Sequence, residues 1–365
     1  MTSAHPKSSC SLEQSIKDEA RRLGFVLAGV TTPEEPPHMA VLEKWLEQGC
    51  HGSMHYMEET RSRLCRADPR QLLPECRSIL VLAAPYSKPD AAGAADTHSP
   101  GEGPRGRVAA YAWGRDYHDV LPARMQQIVQ FIEERVGERV ANRCFTDSAP
   151  IMERDLAQRA GLGWIGKNTC LINPRRGSYF LLAEILLGLE LSPDVPMRTD
   201  HCGSCRRCID ACPTDCILPD RTIDARKCIS HLTIELRETI PAEVRPAIGN
   251  WVFGCDICQM VCPWNRFAPS DGDEAFAPVE ERRAPLLLEE LRMPPQLFSS
   301  RYQTTALSRA KYDGYRRNLA VAIGNTADRQ AVPVLADVAA QASPMVAEHA
   351  TWAASQIAQR QDGHA

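Results

Sequence analysis

The pattern of apolar and polar positions divides the first 195 residues into short elements. In SLEQSIKDEARRLG (residues 11–24), Leu12, Ile16, Ala20 and Leu23 fall on one helical face, and Gly24 ends the run. FVLAGV (25–30) and SILVLAAPY (78–86) read as buried strands, and RVAAYAW (107–113) as a third. A helix is expected from about Leu121 to Val136. CFTDSAPIMERDLAQRAG reads as a strand end, a turn and a helix, with Ile151, Leu156, Ala157 and Ala160 on one face. Asp147 or Ser148 is the expected N-cap, with Pro150 in the first turn. SYFLLAEILL is apolar without a period, so strand and helix stay open. Residues 88–106, rich in Pro, Gly and Ala, read as a mobile surface loop. Near the C-terminus, YRRNLAVAIGN and MVAEHATWAASQIA are two amphipathic helical patterns, about one helical-repeat unit.

Composition narrows the class. The 365 residues are 44% hydrophobic and 24% charged, which suits a globular chain of two or three domains. The net charge of −4 gives no global sign of nucleic-acid binding. Residues 282–317 differ, with Arg282, Arg283, Arg292, Arg301, Arg309, Lys311, Arg316 and Arg317 against Glu289, Glu290 and Asp313. That local excess of +5 is a candidate phosphate footprint, a solvated helical face being the plainer reading. Glu184 and Glu190 interrupt the best apolar run, YFLLAEILLGLEL, and the first twenty residues hold no apolar signal core. A cytoplasmic protein without membrane contact is expected.

GLGWIGKN (161–168) fits both G-x-G-x-x-G and G-x-x-x-x-G-K. Both nucleotide motifs need a strand before the glycines and a helix after them. Here a helical pattern precedes, so Gly161 reads as a helix stop, and Asn168 stands where the phosphate loop needs Ser or Thr. Both readings fail on context.

Fifteen cysteines are the main chemical fact, and nine of them lie between Cys202 and Cys262. In a reducing compartment such clustering means metal. CGSCRRCIDACP is C-x₂-C-x₂-C-x₃-C-P, the bacterial ferredoxin run, whose fourth cysteine ligates the other cluster of a pair. CDICQMVCP supplies a second run, but Val252 stands where its first cysteine should be. Cys228 or Cys216 must substitute, and Cys216, four residues past Cys212, is expected to struggle to reach a shared iron. Cluster one then takes Cys202, Cys205, Cys208 and Cys262; cluster two takes Cys212, Cys228, Cys255 and Cys258. Zinc is the competing metal, and eight interlocked thiolates favour two [4Fe-4S] clusters over it.

The segments TDSAP, AGLGWIGKN, GSYF, DARKCIS, LTIE, GNWVFGCDICQMVCPWN and RRNLAVAIGN together resemble the epoxyqueuosine reductase family, over about residues 12–358. The resemblance implies an α+β protein in three parts. Residues 1–195 would form an α/β cobalamin-binding domain, 196–270 a ferredoxin-like double-cluster module, and 271–365 a helical, HEAT-like tRNA-contacting region. It implies reduction of epoxyqueuosine to queuosine at the wobble position of tRNA, the last step of queuosine biosynthesis, with cobalamin and two [4Fe-4S] clusters. Asp147 matches the family's proton donor. Arg66, Ala109, Leu171, Leu182 and Ser230 match positions around the corrin, while Arg154 and Arg237 are candidates for tRNA contact. Gly161, Gly163 and Gly166 would let backbone approach the cofactor, and Lys167 and Asn168 would bond corrin amides or tRNA phosphate. In WGRDYHD, Asp116, Tyr117 and His118 would face the substrate; with Leu121 where D-x-H-x-x-G needs its glycine, no histidine ligand to cobalt is expected. A monomer served by a low-potential donor such as a flavodoxin or ferredoxin is implied. A cobalamin-dependent reductive dehalogenase and a ferredoxin-type electron carrier are the competing functions. Corrinoid absorption separates the second from the first.

Overall fold

The computed structural model describes residues 11–89 and 103–362, so most of the loop expected at 88–106 lies outside the described residues. Its centre is one sheet in the order β1-β2-β7-β4, built from β1 (Leu27–Thr31), β2 (Ser78–Pro85), β7 (Phe180–Leu187) and β4 (Asn142–Phe145). Every pairing in it is antiparallel. That is a mixed helix-and-sheet architecture without the parallel sheet that an α/β domain carries.

The sheet explains why the apolar runs lacked a period. Along β2, Leu80, Leu82 and Ala84 join one core, while Ile79, Val81 and Ala83 join a second on the opposite face. Both faces are buried, so alternation disappears from the sequence. The first core is covered by α1 (Leu12–Arg22) and α4 (Tyr117–Val136), the second by α5 (Glu153–Arg159). Helices α2 (Met39–Glu47) and α3 (Thr60–Ala67) lie between β1 and β2 in the chain.

Three local expectations are corrected. Helix α4 starts at Tyr117 because the Asp116 side chain accepts the His118 amide. The third strand shrinks to β3 (Arg107–Val108), since the Ala110 amide turns to the buried Asp256 carboxylate at 2.7 Å. Neither Asp147 nor Ser148 caps a helix: α5 begins five residues later, behind Met152, and Asp147 lies in a left-handed turn with φ 51°.

Two short strands form a hairpin, β5 (Trp164–Ile165) with β6 (Leu171–Ile172). The cysteine-rich stretch then folds as brief turns, α6 (Arg207–Asp210), α7 (Ile229–Ile234), α8 (Arg245–Ile248) and α9 (Ile257–Met260), plus β8 (Trp251–Phe253). β8 pairs in parallel with β3, which ties the cysteine-rich stretch to the N-terminal half. Val252, the residue in the missing cysteine's place, is a fully buried strand residue.

The C-terminal part is α10 (Glu280–Arg283), α11 (Leu287–Arg292), α12 (Pro295–Tyr302), α13 (Lys311–Thr326), α14 (Val332–Gln341) and α15 (Pro344–Asp362). The two expected helices are α13 and α15; α14 was hidden by Pro333, which the structure accommodates in its first turn. α13 packs on β8, α7 and α8, and the first core takes side chains from all three parts of the chain.

The basic footprint is largely spent inside the fold. Arg317 is fully buried and donates to the carbonyls of Leu232, Leu236 and Glu238 at 2.7–2.9 Å. Arg301 pairs with Glu290 at 2.6 Å, and Arg283 stacks on Trp113. Arg316 stacks on Tyr312. Arg317 is therefore a structural donor, and it cannot serve as a phosphate contact. Arg317→Met should strand three buried acceptors and cost about 3 kcal/mol or more in a denaturation experiment. Exposed Arg292→Ala should stay within about 0.5 kcal/mol of wild type.

Candidate active site and cluster ligands

The turn after β4 carries Asp147 into a group of polar and aromatic side chains. Tyr117, at the start of α4, donates its hydroxyl to Asp147 Oδ2 at 2.7 Å. Arg309 donates to that Tyr117 oxygen at 3.2 Å, lies over its ring, and bonds His118. The loop itself is pinned by Glu153, whose Oε1 accepts the Asp147 amide at 2.7 Å. Burial, then the Asp147 charge, raises Glu153 to about 7. Tyr111 stands edge-on to Tyr117, 6.1 Å between ring centres. Of the WGRDYHD residues, Tyr117 touches Asp147, while His118 and Asp116 hold Arg309.

Arg66 is 7% exposed, and among the described residues it forms hydrogen bonds to the Ser62 carbonyl and hydroxyl but no ion pair. A buried guanidinium without a carboxylate is an open donor for a polar ligand. Ser230 and Leu182 are partly exposed, as a contact to a cofactor requires. Ala109 and Leu171 are only 1% and 3% exposed, so their side chains sit in the core. Arg154 and Arg237 are both exposed; Arg154 bonds Thr169, and Arg237 bonds the carbonyls of Ile234 and Arg309.

The GLGWIGKN stretch has a different task from the one its glycines suggested. A Cβ at Gly163 would meet the Ile172 carbonyl oxygen at 2.3 Å, and one at Gly161 the Val195 oxygen at 2.7 Å. These glycines admit neighbouring backbone of the same chain rather than a ligand. Gly161, at φ 77°, does end α5 as the sequence implied. Lys167 donates to the carbonyls of Gly203 and Cys205 at 2.7 and 2.9 Å. Asn168 is 2% exposed and turns its amide toward the Cys258 carbonyl. The stretch braces both cysteine runs.

The thiols gather as two groups. Cys216 is not remote: its Sγ lies 3.4 Å from that of Cys212, and it also bonds Cys228. The Cys216 hydrogen bond is the largest cause lowering Cys212 to about 5 and Cys228 to about 7; amides of His231 and Ser230 help Cys228. Cys216 itself is pushed strongly upward by serving both. Cys216 therefore lies between the two thiols assigned to the second cluster, within hydrogen-bond reach of both. Cys170 bonds Cys258 with the shifts reversed, Cys170 being lowered and Cys258 raised, and the spacing of the cysteine runs gave no reason to seek this neighbour. Burial raises Cys255, Cys208 and Cys262. Bare buried thiols are thus held neutral, and iron would relieve that cost.

Residues 201–265 match the 4Fe-4S double cluster binding domain family, and residues 66–148 match the epoxyqueuosine reductase QueG family. A Pseudomonas aeruginosa protein named epoxyqueuosine reductase is 42% identical over 95% of this chain and 95% of its own. The chain belongs to the epoxyqueuosine reductase family. An Escherichia coli member is 37% identical over 96% of this chain and 91% of its own. A solved epoxyqueuosine reductase from Streptococcus thermophilus superimposes with a TM-score of 0.85 at 29% identity, covering 95% of this chain and 90% of its own. Another solved epoxyqueuosine reductase, with a tRNA-Tyr stem loop bearing epoxyqueuosine, superimposes with a TM-score of 0.84 at 30% identity, covering 95% and 90%.

A cleft of about 860 Å³ opens beside Cys262, lined by Lys88, Tyr179, Arg207, Asp210, Met260 and Arg266 among others. It does not include Asp147. Replacing Cys228 by Ala should remove about half of the iron from reconstituted protein, while Cys216→Ala should leave iron content unchanged. Equal losses would overturn the assignment.

Proposed function

We propose that this protein reduces the epoxide of epoxyqueuosine, at the wobble position of a tRNA anticodon, to the alkene of queuosine. The observation that carries the reading is the Asp147–Tyr117–Arg309 chain, in which a carboxyl on a pinned turn receives a buried phenol hydroxyl. That is the equipment for handing a proton to a departing oxygen. An epoxyqueuosine reductase from Bacillus subtilis, solved with its catalytic aspartate loop swung out of the active site, supports a loop aspartate in this role.

Clusters on Cys202, Cys205, Cys208 and Cys262, and on Cys212, Cys228, Cys255 and Cys258, fit the donor set. Arg66, Ser230 and Leu182 would hold cobalamin, with Ala109 and Leu171 behind them in the core. When bound, the clusters deliver electrons singly and the corrinoid offers a strongly nucleophilic reduced cobalt. The chain's own work is positional. Tyr117 orients the Asp147 carboxyl through Oδ2, and the Glu153 contact to its amide fixes the turn. Asp147 then gives its proton to the oxygen that leaves the carbon. Arg309 holds Tyr117 and His118 in place from the C-terminal part. Exposed Arg154 and Arg237 lie on the faces offered to tRNA phosphate. Lys88, Arg207 and Arg266 make the cleft beside Cys262 positive overall, which suits an acidic low-potential donor such as a flavodoxin or ferredoxin. The protein acts as a monomer in the cytoplasm on this reading.

Asn tolerates a left-handed backbone as well as Asp does, so Asp147→Asn leaves the turn intact. The variant should keep its iron and bound cobalamin, yet lose turnover of epoxyqueuosine-bearing tRNA by roughly 10²–10⁴-fold, read by nucleoside analysis. Near wild-type turnover would move the acid to Tyr117 or His118.

A further inference from the structure

The segment between α2 and α3 carries ligating side chains that the proposed reaction does not use. His51, His55 and Glu58 stand on one loop, and a single helical turn at His55–Met57 brings them together. His51 Nε2 lies 2.5 Å from Glu58 Oε1, and His55 Nδ1 lies 3.0 Å from the same oxygen. Among the described residues this is the only group of three His, Cys, Asp or Glu side chains whose donor atoms all lie within 4.8 Å of one another.

The buried part of the group is already fixed. His51 is 5% exposed, with its ring edge-on to Trp45, and its Nδ1 has no hydrogen-bond partner among the described residues. Nε2 is therefore the nitrogen that His51 offers, and it faces Glu58. His55 and Glu58 are exposed, so their side chains are free to adjust. Donor atoms around a tetrahedral zinc ion stand about 3.3 Å apart. A small outward turn of Glu58 is enough to open that space. We propose that His51 Nε2, His55 Nδ1 and Glu58 Oε1 bind one divalent transition cation, with water in the fourth position. Two imidazoles and a carboxylate are a zinc donor set, whereas calcium and magnesium require oxygen ligands that this group mostly lacks. No thiol takes part, since Cys50 turns its sulfur to Gln48.

The ion would clasp a loop that touches both sides of the cofactor region. The Cys50 carbonyl accepts the Ala225 amide at 2.8 Å, and the Ser53 hydroxyl meets His231 Nε2 at 3.0 Å. Ala225 and His231 flank Cys228, a ligand assigned to the second cluster. Just beyond Glu58 the chain enters α3, which carries Arg66. Joining His51 to Glu58 through a metal would hold the start of α3 against the Cys228 segment. The inference stands apart from the reaction proposed above, and its test reads binding rather than turnover.

Zinc is the probe, added to holoenzyme whose clusters are filled, so that the cluster cysteines are occupied. After dialysis against buffered zinc, wild type should hold one zinc per chain beyond its iron, and excess magnesium should not displace it. Zinc-edge X-ray absorption should show nitrogen and oxygen neighbours, imidazole among them, and no sulfur. His55→Ala and Glu58→Gln change exposed side chains, so both should fold and keep their iron. Each should weaken zinc binding by roughly 100-fold or more. Hydrogen exchange of the amides of residues 50–58 should slow on zinc addition in wild type and in neither variant. Sulfur in the zinc shell, equal retention by the variants, or no zinc retained by wild type overturns the site. Zinc bound without slower exchange overturns the clasp.

Discussion

The cysteine-rich stretch has almost no regular secondary structure, so its backbone carbonyls must find donors outside it. The rest of the structure is arranged around that need. Lys167 serves Gly203 and Cys205, Arg317 serves the end of α7, and Asn318 serves Thr233 and Val252. Asn325 bonds the carbonyls of Arg245 and Gly249, and Asn265 joins Gln259 to the Gly177–Ser178 turn. Each donor lies in one of the sequence segments that carried the family resemblance. Those segments are the clasps between the three parts of the chain, and they hold the thiols where clusters need them.

A further contact ties the C-terminal part to the candidate acid. Arg309, in the C-terminal part, reaches Tyr117 at the start of α4, and Tyr117 reaches Asp147 behind β4. A site assembled from the N-terminal and C-terminal parts of the chain exists only when the common core is packed. Loss of one buried donor therefore acts on cluster binding and on acid placement together.

Charge follows a similar economy. The basic residues of 282–317 satisfy internal carbonyls, Glu290 and aromatic faces, while Glu153 holds the Asp147 turn and Glu184 is buried in the neighbouring strand. A lone charge in an apolar strand was visible in the sequence at Glu184, where it served only to argue against a membrane span. Its proximity to Asp147 depends on strand register, which no local pattern reveals.

By itself the sequence determined the chemistry of the metal site. Ligand spacing is covalent information, so the two cysteine runs and the gap at Val252 could be read directly. It also determined the helices α1, α4, α5, α13 and α15 and the strands β1 and β2, since these show in apolar periodicity or composition, while β7 stayed open between strand and helix. Only the tertiary structure decided the rest. Asp147 looked like a helix cap because it precedes a helical pattern, yet a left-handed turn separates it from α5. Arg317 looked like a surface cation because arginines are mostly exposed, yet three orphaned carbonyls draw it into the core. Cys216 seemed too near Cys212 to matter, and the turn folds it against both Cys212 and Cys228. In each case the deciding partner is distant in sequence or turned by a non-local contact, and such partners leave no mark on local pattern.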